Sequence, residues 1–181
     1  MRLSLISAAA AIALIGSPAL AQSTTYSDEE LTAYAEALTV IVPITQAAAG
    51  SPTPEQQAQM AQAVADAGLS VDQFNAIGTA AQGDPVLRAR LELLSLPAPA
   101  EGSVSTTVTD AEVDQFAQAM VAVRAAIGDA TTLTEEQQAA MREAVEAAGL
   151  TIDRFNVIGG ALASDTHLRA RVAVAEAELG G

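Results

Sequence analysis

The phrase Gly68-Leu69-Ser70-Val71-Asp72-Gln73-Phe74-Asn75-Ala76-Ile77-Gly78 returns later in the chain as Gly149-Leu150-Thr151-Ile152-Asp153-Arg154-Phe155-Asn156-Val157-Ile158-Gly159. Around it, Glu55 to Leu91 aligns with Glu136 to Val172 with 21 of 37 positions identical. A duplication at fixed period makes each copy one supersecondary unit that buries its apolar face partly against its neighbour. It also sorts the residues. Those present in both copies serve whatever one unit needs, to fold or to act, and those present in one copy cannot be essential to a unit.

Each copy reads as about four helices. Ser27-Asp28-Glu29-Glu30 is an N-cap with an acidic first turn, followed by apolar positions at Leu31, Tyr34, Ala35, Leu38, Ile41 and Val42. Thr109-Asp110-Ala111-Glu112 opens the counterpart, with Val113, Phe116, Ala117, Met120 and Val123 at the same spacing. Pro43 stands where the second copy has Ala125, so a kink or an early end is expected in the first copy alone. The offset between copies changes by one residue, most simply in the loop around Gly50 to Thr53 and its equivalent at Ala130 to Thr134.

Thr53-Pro54-Glu55-Gln56 and Thr134-Glu135-Glu136-Gln137 are capping boxes for a second helix, whose inward stripe in the first copy is Met60, Val64 and Ala67. Gly68 and Gly149 end that helix as C′ glycines. Ser70 and Thr151 cap a third helix, with Val71, Phe74, Ile77, Gly78 and Ala81 on one side in the first copy. Asp84-Pro85 opens a fourth with Leu87, Leu91 and Leu94 inward, and its copy from Asp165 carries Leu168, Val172, Ala175 and Leu179. The run Ser95-Leu96-Pro97-Ala98-Pro99-Ala100-Glu101-Gly102 is proline-rich and semi-extended.

The organisation expected is therefore a signal peptide over 1–21, a first helical repeat over 22–97, a Pro/Ser/Thr-rich linker over 98–108 and a second repeat over 109–181. The leader rests on Arg2, an apolar run from Leu3 to Ile15 and the small-x-small site Ala19-Leu20-Ala21, which puts the mature start at Gln22. The apolar run is short for a membrane anchor and is broken by Gly16 and Pro18. Export to the periplasm or the medium follows. With no cysteine there is neither a disulfide nor a lipid-accepting thiol.

The formal net charge is -14 and there is no lysine, a balance that repels phosphate backbones and anionic lipid. Nucleic acid is excluded as a partner on that ground, and no integral membrane association is expected after cleavage. Half of the residues are hydrophobic but aromatics are only 3%, and alanine supplies much of the rest. Alanine favours helix, and a core of small side chains buries little area per residue, so the two units are expected to lean on each other. The fold class is all-α: two tandem homologous units packed together by small residues with pseudo-two-fold symmetry.

Tyr26-Ser27-Asp28-Glu29-Glu30-Leu31, the Gly-Leu-Ser-x-Asp-x-Phe-Asn-x-Ile pattern at Gly68 to Ile77 and the Asp-Pro-x-Leu-x-x-Arg pattern that starts at Asp84 are together similar to a family of exported bacterial helical domains known as domain of unknown function 4168. The resemblance spans almost all of the mature chain, once per copy. The second copy departs from it at Thr166, where the first has Pro85, and at Arg154-Phe155. It implies a helical fold and export, and it carries no biochemical activity.

Among polar residues, Asn75 and Asn156 stand out, since asparagine is a poor mid-helix residue and here it lies beside Phe74 and Phe155. Either these amides line a cleft and bind a ligand, or they bond backbone at the tight turn and fix the packing of the third helix. Arg88 and Arg90 recur as Arg169 and Arg171, and such a pair could clamp a carboxylate or phosphate. Against that, a spacing of two splays them apart, and Asp84 and Asp165 sit four residues before Arg88 and Arg169, suited to an ion pair along the helix.

His167 is the single histidine, replaced by Val86 in the first copy, and is expected to face solvent. One histidine without cysteine argues against a zinc-type site, and the carboxylates lack the spacing of a calcium loop. Neither a nucleophile elbow nor a phosphate-binding loop is present, so no cofactor and no enzymatic activity are expected. Two functional readings follow. One is a non-catalytic interaction or structural module contacting another envelope protein; the alternative is a carrier of a small apolar ligand in a crevice around Phe74/Asn75 and Phe155/Asn156.

Overall fold

The computed structural model describes residues 26–48, 51–128 and 133–180. The leader, its cleavage site and part of the two loops that absorb the change of offset lie outside the described residues. Among those described, eight α-helices form two units of four: α1 Asp28–Ala47, α2 Pro54–Asp66, α3 Val71–Gly83 and α4 Pro85–Ser95, then α5 Asp110–Ile127, α6 Glu135–Ala147, α7 Ile152–Ala161 and α8 Thr166–Gly180. A single 3-10 turn, Val104–Thr106, lies between the units.

Local chemistry sets these boundaries. Ser27, Thr53, Ser70, Thr109 and Thr134 each close a full capping box, with the cap hydroxyl accepting the third backbone N–H and a Glu or Gln returning to the cap N–H. Gly68 and Gly149 take φ of 85° and 94°, the left-handed region that a side chain would strain. There the Leu69 N–H donates to the Val64 carbonyl at 3.1 Å and Gly68 to Ala65 at 3.0 Å; Leu150 to Val145 and Gly149 to Glu146 repeat the pair at 3.2 and 2.9 Å. This is a Schellman ending, and its apolar contact is present too, since Leu69, Val64, Leu150 and Val145 are all buried.

In the first unit α1 packs on α2, α3 and α4, and in the second α5 packs on α6 and α8. Each unit has its own core. Leu31, Ile41, Val64, Leu69, Ile77 and Leu87 build the first. The second is built on Val113, Phe116, Val145, Ile158, Leu168 and Val172. The units meet through their equivalent fourth helices, α4 against α8, a pairing of like with like. α8 can serve both neighbours because it is apolar on two sides: Leu168, Val172 and Ala175 belong to its own core, whereas Ala170 is buried outside that core. An alanine at that position lets the two helix backbones approach closely.

Several expectations are corrected. α1 does not end early at Pro43 but continues to Ala47, close to where α5 stops in the equivalent helix. Pro43 and Thr39 are exposed, so the Thr39 carbonyl that loses its helical donor is open to water. Val42, Val71 and Leu179 were expected to face inward, yet they are 41%, 50% and 47% exposed. Val42 stands about 100° around the helix from the buried Ile41. Val71 is the first residue of its helix, outside the packed turn. Leu179 lies in the last turn of α8, which extends well beyond the length of α4.

The linker expected over 98–108 is not free throughout. Val104 packs on the second core, Val108 is buried within it, and the buried Ser105 N–H donates to Asp165 Oδ2 at 2.9 Å. The second unit thus begins structurally at the 3-10 turn.

Candidate functional site

Residue by residue, most of the repeated phrase holds the fold. Phe74 stacks on Tyr34 with ring centroids 4.6 Å apart, and Phe155 meets Phe116 at 4.9 Å, so the same aromatic pair links the first and third helices in each unit. Ile77 and Ile158 are fully buried beneath them. The glycine that ends the phrase makes room for the ring: a Cβ on Gly78 would lie 3.0 Å from the Tyr34 hydroxyl, and one on Gly159 would lie 3.8 Å from the Phe116 ring. Burial pushes the Tyr34 phenol above its ordinary pKa.

Asn75 and Asn156 are different. Both are exposed, about 100° around α3 and α7 from the phenylalanine that each follows. Among the described residues neither side-chain amide has a protein partner; the bond at this position is from Thr79 Oγ1 to the Asn75 backbone carbonyl, at 2.8 Å. The expected bond from the amide to the turn or to a neighbouring helix is therefore absent there. Phe74 and Asn75 do not line one crevice, because the ring packs inward while the amide faces solvent.

The four arginines are occupied by the fold. Arg88 donates to the Ala81 and Gln82 carbonyls at 3.3 and 3.1 Å, and Arg169 to the Leu162 and Ala163 carbonyls at 2.8 and 3.1 Å, so each caps the C-terminal end of the preceding helix. The expected ion pairs of Arg88 with Asp84 and of Arg169 with Asp165 do not form. Those aspartates instead cap Leu87 and Leu168, at 3.0 and 2.9 Å. Arg90 pairs with Asp28, and Arg171 pairs with Asp110 at 2.6 Å while donating to the Ser105 and Val108 carbonyls at 2.9 Å. The spacing of two does splay each pair, one arginine to the preceding helix and the other to the start of the unit.

Arg154 was noticed as a departure but its partner was missed. It replaces Gln73 of the first copy and reaches Glu112 at 2.7 Å and the Thr107 carbonyl at 2.9 Å. The Arg154 guanidinium, with the Thr109 N–H, pulls the Glu112 carboxyl down from 4.5 to about 2. Glu30, its equivalent, is lowered through the Ser27 backbone. At Asp165 burial acts to raise the pKa, but the N–H groups of Leu168 and Ser105 outweigh it and the net shift is downward. His167 corrects another expectation, since it is half-buried with Nδ1 sealed from solvent and without a hydrogen-bond partner among the described residues. It sits beside a cavity of about 480 Å³ between the Pro97–Val104 strap and the start of α8.

A second depression, of about 460 Å³, runs between α1 and α2. Val40 and Ile44 from α1 and Ala63 from α2 give it an apolar lining, and Glu36 and Asp66 line it as well. The equivalent positions of the second copy are Ala122, Ala126, Ala144, Gln118 and Ala147. Nothing in the duplicated phrase pointed to this groove, because it is built from residues in which the copies differ. Among the described residues no three His, Asp or Glu side chains gather to hold a metal ion, and no helix is long and apolar enough to cross a membrane.

The sequence profile of Domain of unknown function (DUF4168) matches residues 53–91 and 122–172, one segment in each unit. The chain belongs to the DUF4168 family. The matched segments run from the Thr53 cap through most of α4, and from the second half of α5 to Val172 in α8. The DUF4168 match is narrower than the resemblance expected over almost the whole mature chain, since it leaves out α1 and the first two-thirds of α5. What both segments hold in full is the turn from second to third helix, with its Schellman ending and cap. No curated protein and no solved structure matches the chain.

Proposed function

We propose that this DUF4168 protein is an exported, non-catalytic interaction module of the cell envelope, which contacts another envelope protein through the outer faces of α3 and α7. Support comes from Asn75 and Asn156. They are identical in two copies that differ at many other positions, they are exposed, and among the described residues their amides have no partner. An exposed polar residue kept without a structural role is what a contact surface leaves behind. The Ala/Ile/Leu leader and the acidic, lysine-free composition support export and a soluble envelope location.

The test is photo-crosslinking in the native host, with a photoreactive residue at position 75 or 156 of the full chain. A discrete adduct from both positions in the envelope fraction is expected. An absence of adducts from both, with normal yields from a control position on α2, would overturn the proposal. Cell fractionation and N-terminal sequencing test export separately; a start at Met1 in the cytoplasm would defeat that part.

A further inference from the structure

The groove between α1 and α2 is independent of the α3/α7 surface, and its geometry points to a binding site for a small hydrophobic cation, an ammonium or amidinium group carrying an apolar tail. Three observations carry this. The walls come from Glu36, Val40 and Ile44 on α1, one turn apart, and from Ala63 and Asp66 on α2. Because α1 and α2 are consecutive helices joined by a short connection, they run antiparallel, and Glu36 near the middle of α1 faces the C-terminal end of α2, where Asp66 stands. The groove is thus polarised along its length, with two carboxylates at one end and Val40 and Ile44 leading away from them. From Glu36 to Ile44 the helix rises about 12 Å, room for an extended chain of several methylenes.

The second observation is uncompensated negative charge. The C-terminal end of a helix carries partial negative charge and ordinarily attracts a basic residue. The last turn of α2 has none and holds Asp66 instead, and no arginine lines the groove. Asp66 accepts from Gln62 Nε2 at 2.7 Å, which orients the carboxylate without neutralising it. A cation at this end would relieve three like charges at once.

The third is the contrast with the second copy, where Gln118 and Ala147 replace the two carboxylates and Ala122 and Ala126 replace the two large side chains. Acid and bulk were gained or lost together, as expected if one amphiphile requires both. Val40 remains 49% exposed, an apolar side chain at the lip with nothing of the chain laid over it among the described residues.

The probe is n-octyltrimethylammonium titrated into the full mature chain below its micelle concentration, followed by methyl NMR and calorimetry. One saturable site is expected, with shifts centred on Val40 and Ile44, and octanesulfonate should bind at least ten-fold more weakly. Glu36→Lys, at an exposed position whose side chain braces nothing, should weaken binding at least ten-fold while leaving the melting temperature unchanged. Val40→Asp, independently, should abolish the shifts. Equal binding of cation and sulfonate, indifference to Glu36→Lys, or shifts centred elsewhere would each overturn the proposal. So would protection of the Val40 methyls in the untitrated protein at a dimeric mass, which would assign the groove to a second copy, or capture of a lysine-bearing amphipathic peptide with no response to the small probe.

Discussion

In the first copy the start of α3 is closed by Gln73, whose amide oxygen accepts the Ser70 N–H at 3.0 Å. In the second copy Arg154 holds that position and leaves the box open, reaching 2.7 Å to Glu112 at the start of α5. The backbone is the same in both, and Thr151 still caps α7 on its own. Duplicated caps, turns and aromatic pairs therefore fix the unit, and the copies diverge in side chains that those devices do not need. The second copy has put its differences into polar braces between elements. The first has put its own into an apolar groove with two carboxylates at one end.

The sharpest way to test this division is through the aromatic pairs, which carry the largest energies. Phe116 is 1% exposed at the centre of the second core, while its equivalent Tyr34 is only half-buried. Phe116→Ala is expected to destabilise the second unit by about 3–5 kcal/mol, and Tyr34→Ala the first unit by less. Urea unfolding followed by circular dichroism would read both. With two separate cores, Phe116→Ala should split off an early transition belonging to the second unit. A single transition moved as a whole would mean that the α4–α8 contact merges the units into one cooperative block.

Next in size are the arginines of the fourth helices. Arg171 is 14% exposed and serves two backbone carbonyls as well as Asp110. Among the described residues Arg90 meets Asp28 alone. Arg171→Ala should cost about 1–3 kcal/mol, because the Ser105 and Val108 carbonyls lose their donor, whereas Arg90→Ala should cost under about 1 kcal/mol, as exposed pairs do. Chemical denaturation midpoints compare the two. An equal loss would break the contrast between the two arginines.

The glycines that end the phrase give a smaller, signed effect. Gly159→Ala meets the Phe116 ring at ordinary contact distance, so the helix-propensity gain of up to about 1 kcal/mol should appear as a raised melting temperature. Gly78→Ala meets the Tyr34 hydroxyl at 3.0 Å on a ring held by Phe74, and should gain nothing or lose stability. Adding Tyr34→Phe should restore the gain. If Gly78→Ala alone stabilises as much as Gly159→Ala, the Tyr34 ring is freer than its stack implies.

How far the sequence reached follows from range. Ser70, Gly68 and Asp84 act on backbone within a few residues, so caps, C′ glycines and helix limits were readable, as were most inward residues, from Leu31 to Leu168. Arg88 was misassigned because its partners, Ala81 and Gln82, belong to another helix, and an i,i+4 partner was available by spacing alone. The Tyr34–Phe74 stack, Arg154–Glu112 and the Val40–Ile44 groove all depend on which helices pack, which periodicity does not specify. The repeat also carries no trace of the groove, since Glu36, Val40 and Asp66 stand where the copies disagree.

The smallest effect isolates the Arg154 brace itself. With its carboxyl held at about 2 against an ordinary 4.5, Glu112 contributes stability that is complete above about pH 4.5 and lost as the pH falls toward 2. Both side chains are about a quarter exposed, so the pair should be worth no more than about 1 kcal/mol. Arg154→Gln installs the first copy's residue and its capping box, and should lower the melting temperature by a few degrees at pH 6 and by almost nothing near pH 2. A deficit that persists unchanged at low pH would place the contribution of Arg154 in its bond to the Thr107 carbonyl, which does not titrate. The reciprocal Gln73→Arg exchange should give the first copy an acid-sensitive increment of the same size, with Glu30 in the place of Glu112; no increment would show that the brace also requires the bond Arg154 makes to the Thr107 carbonyl.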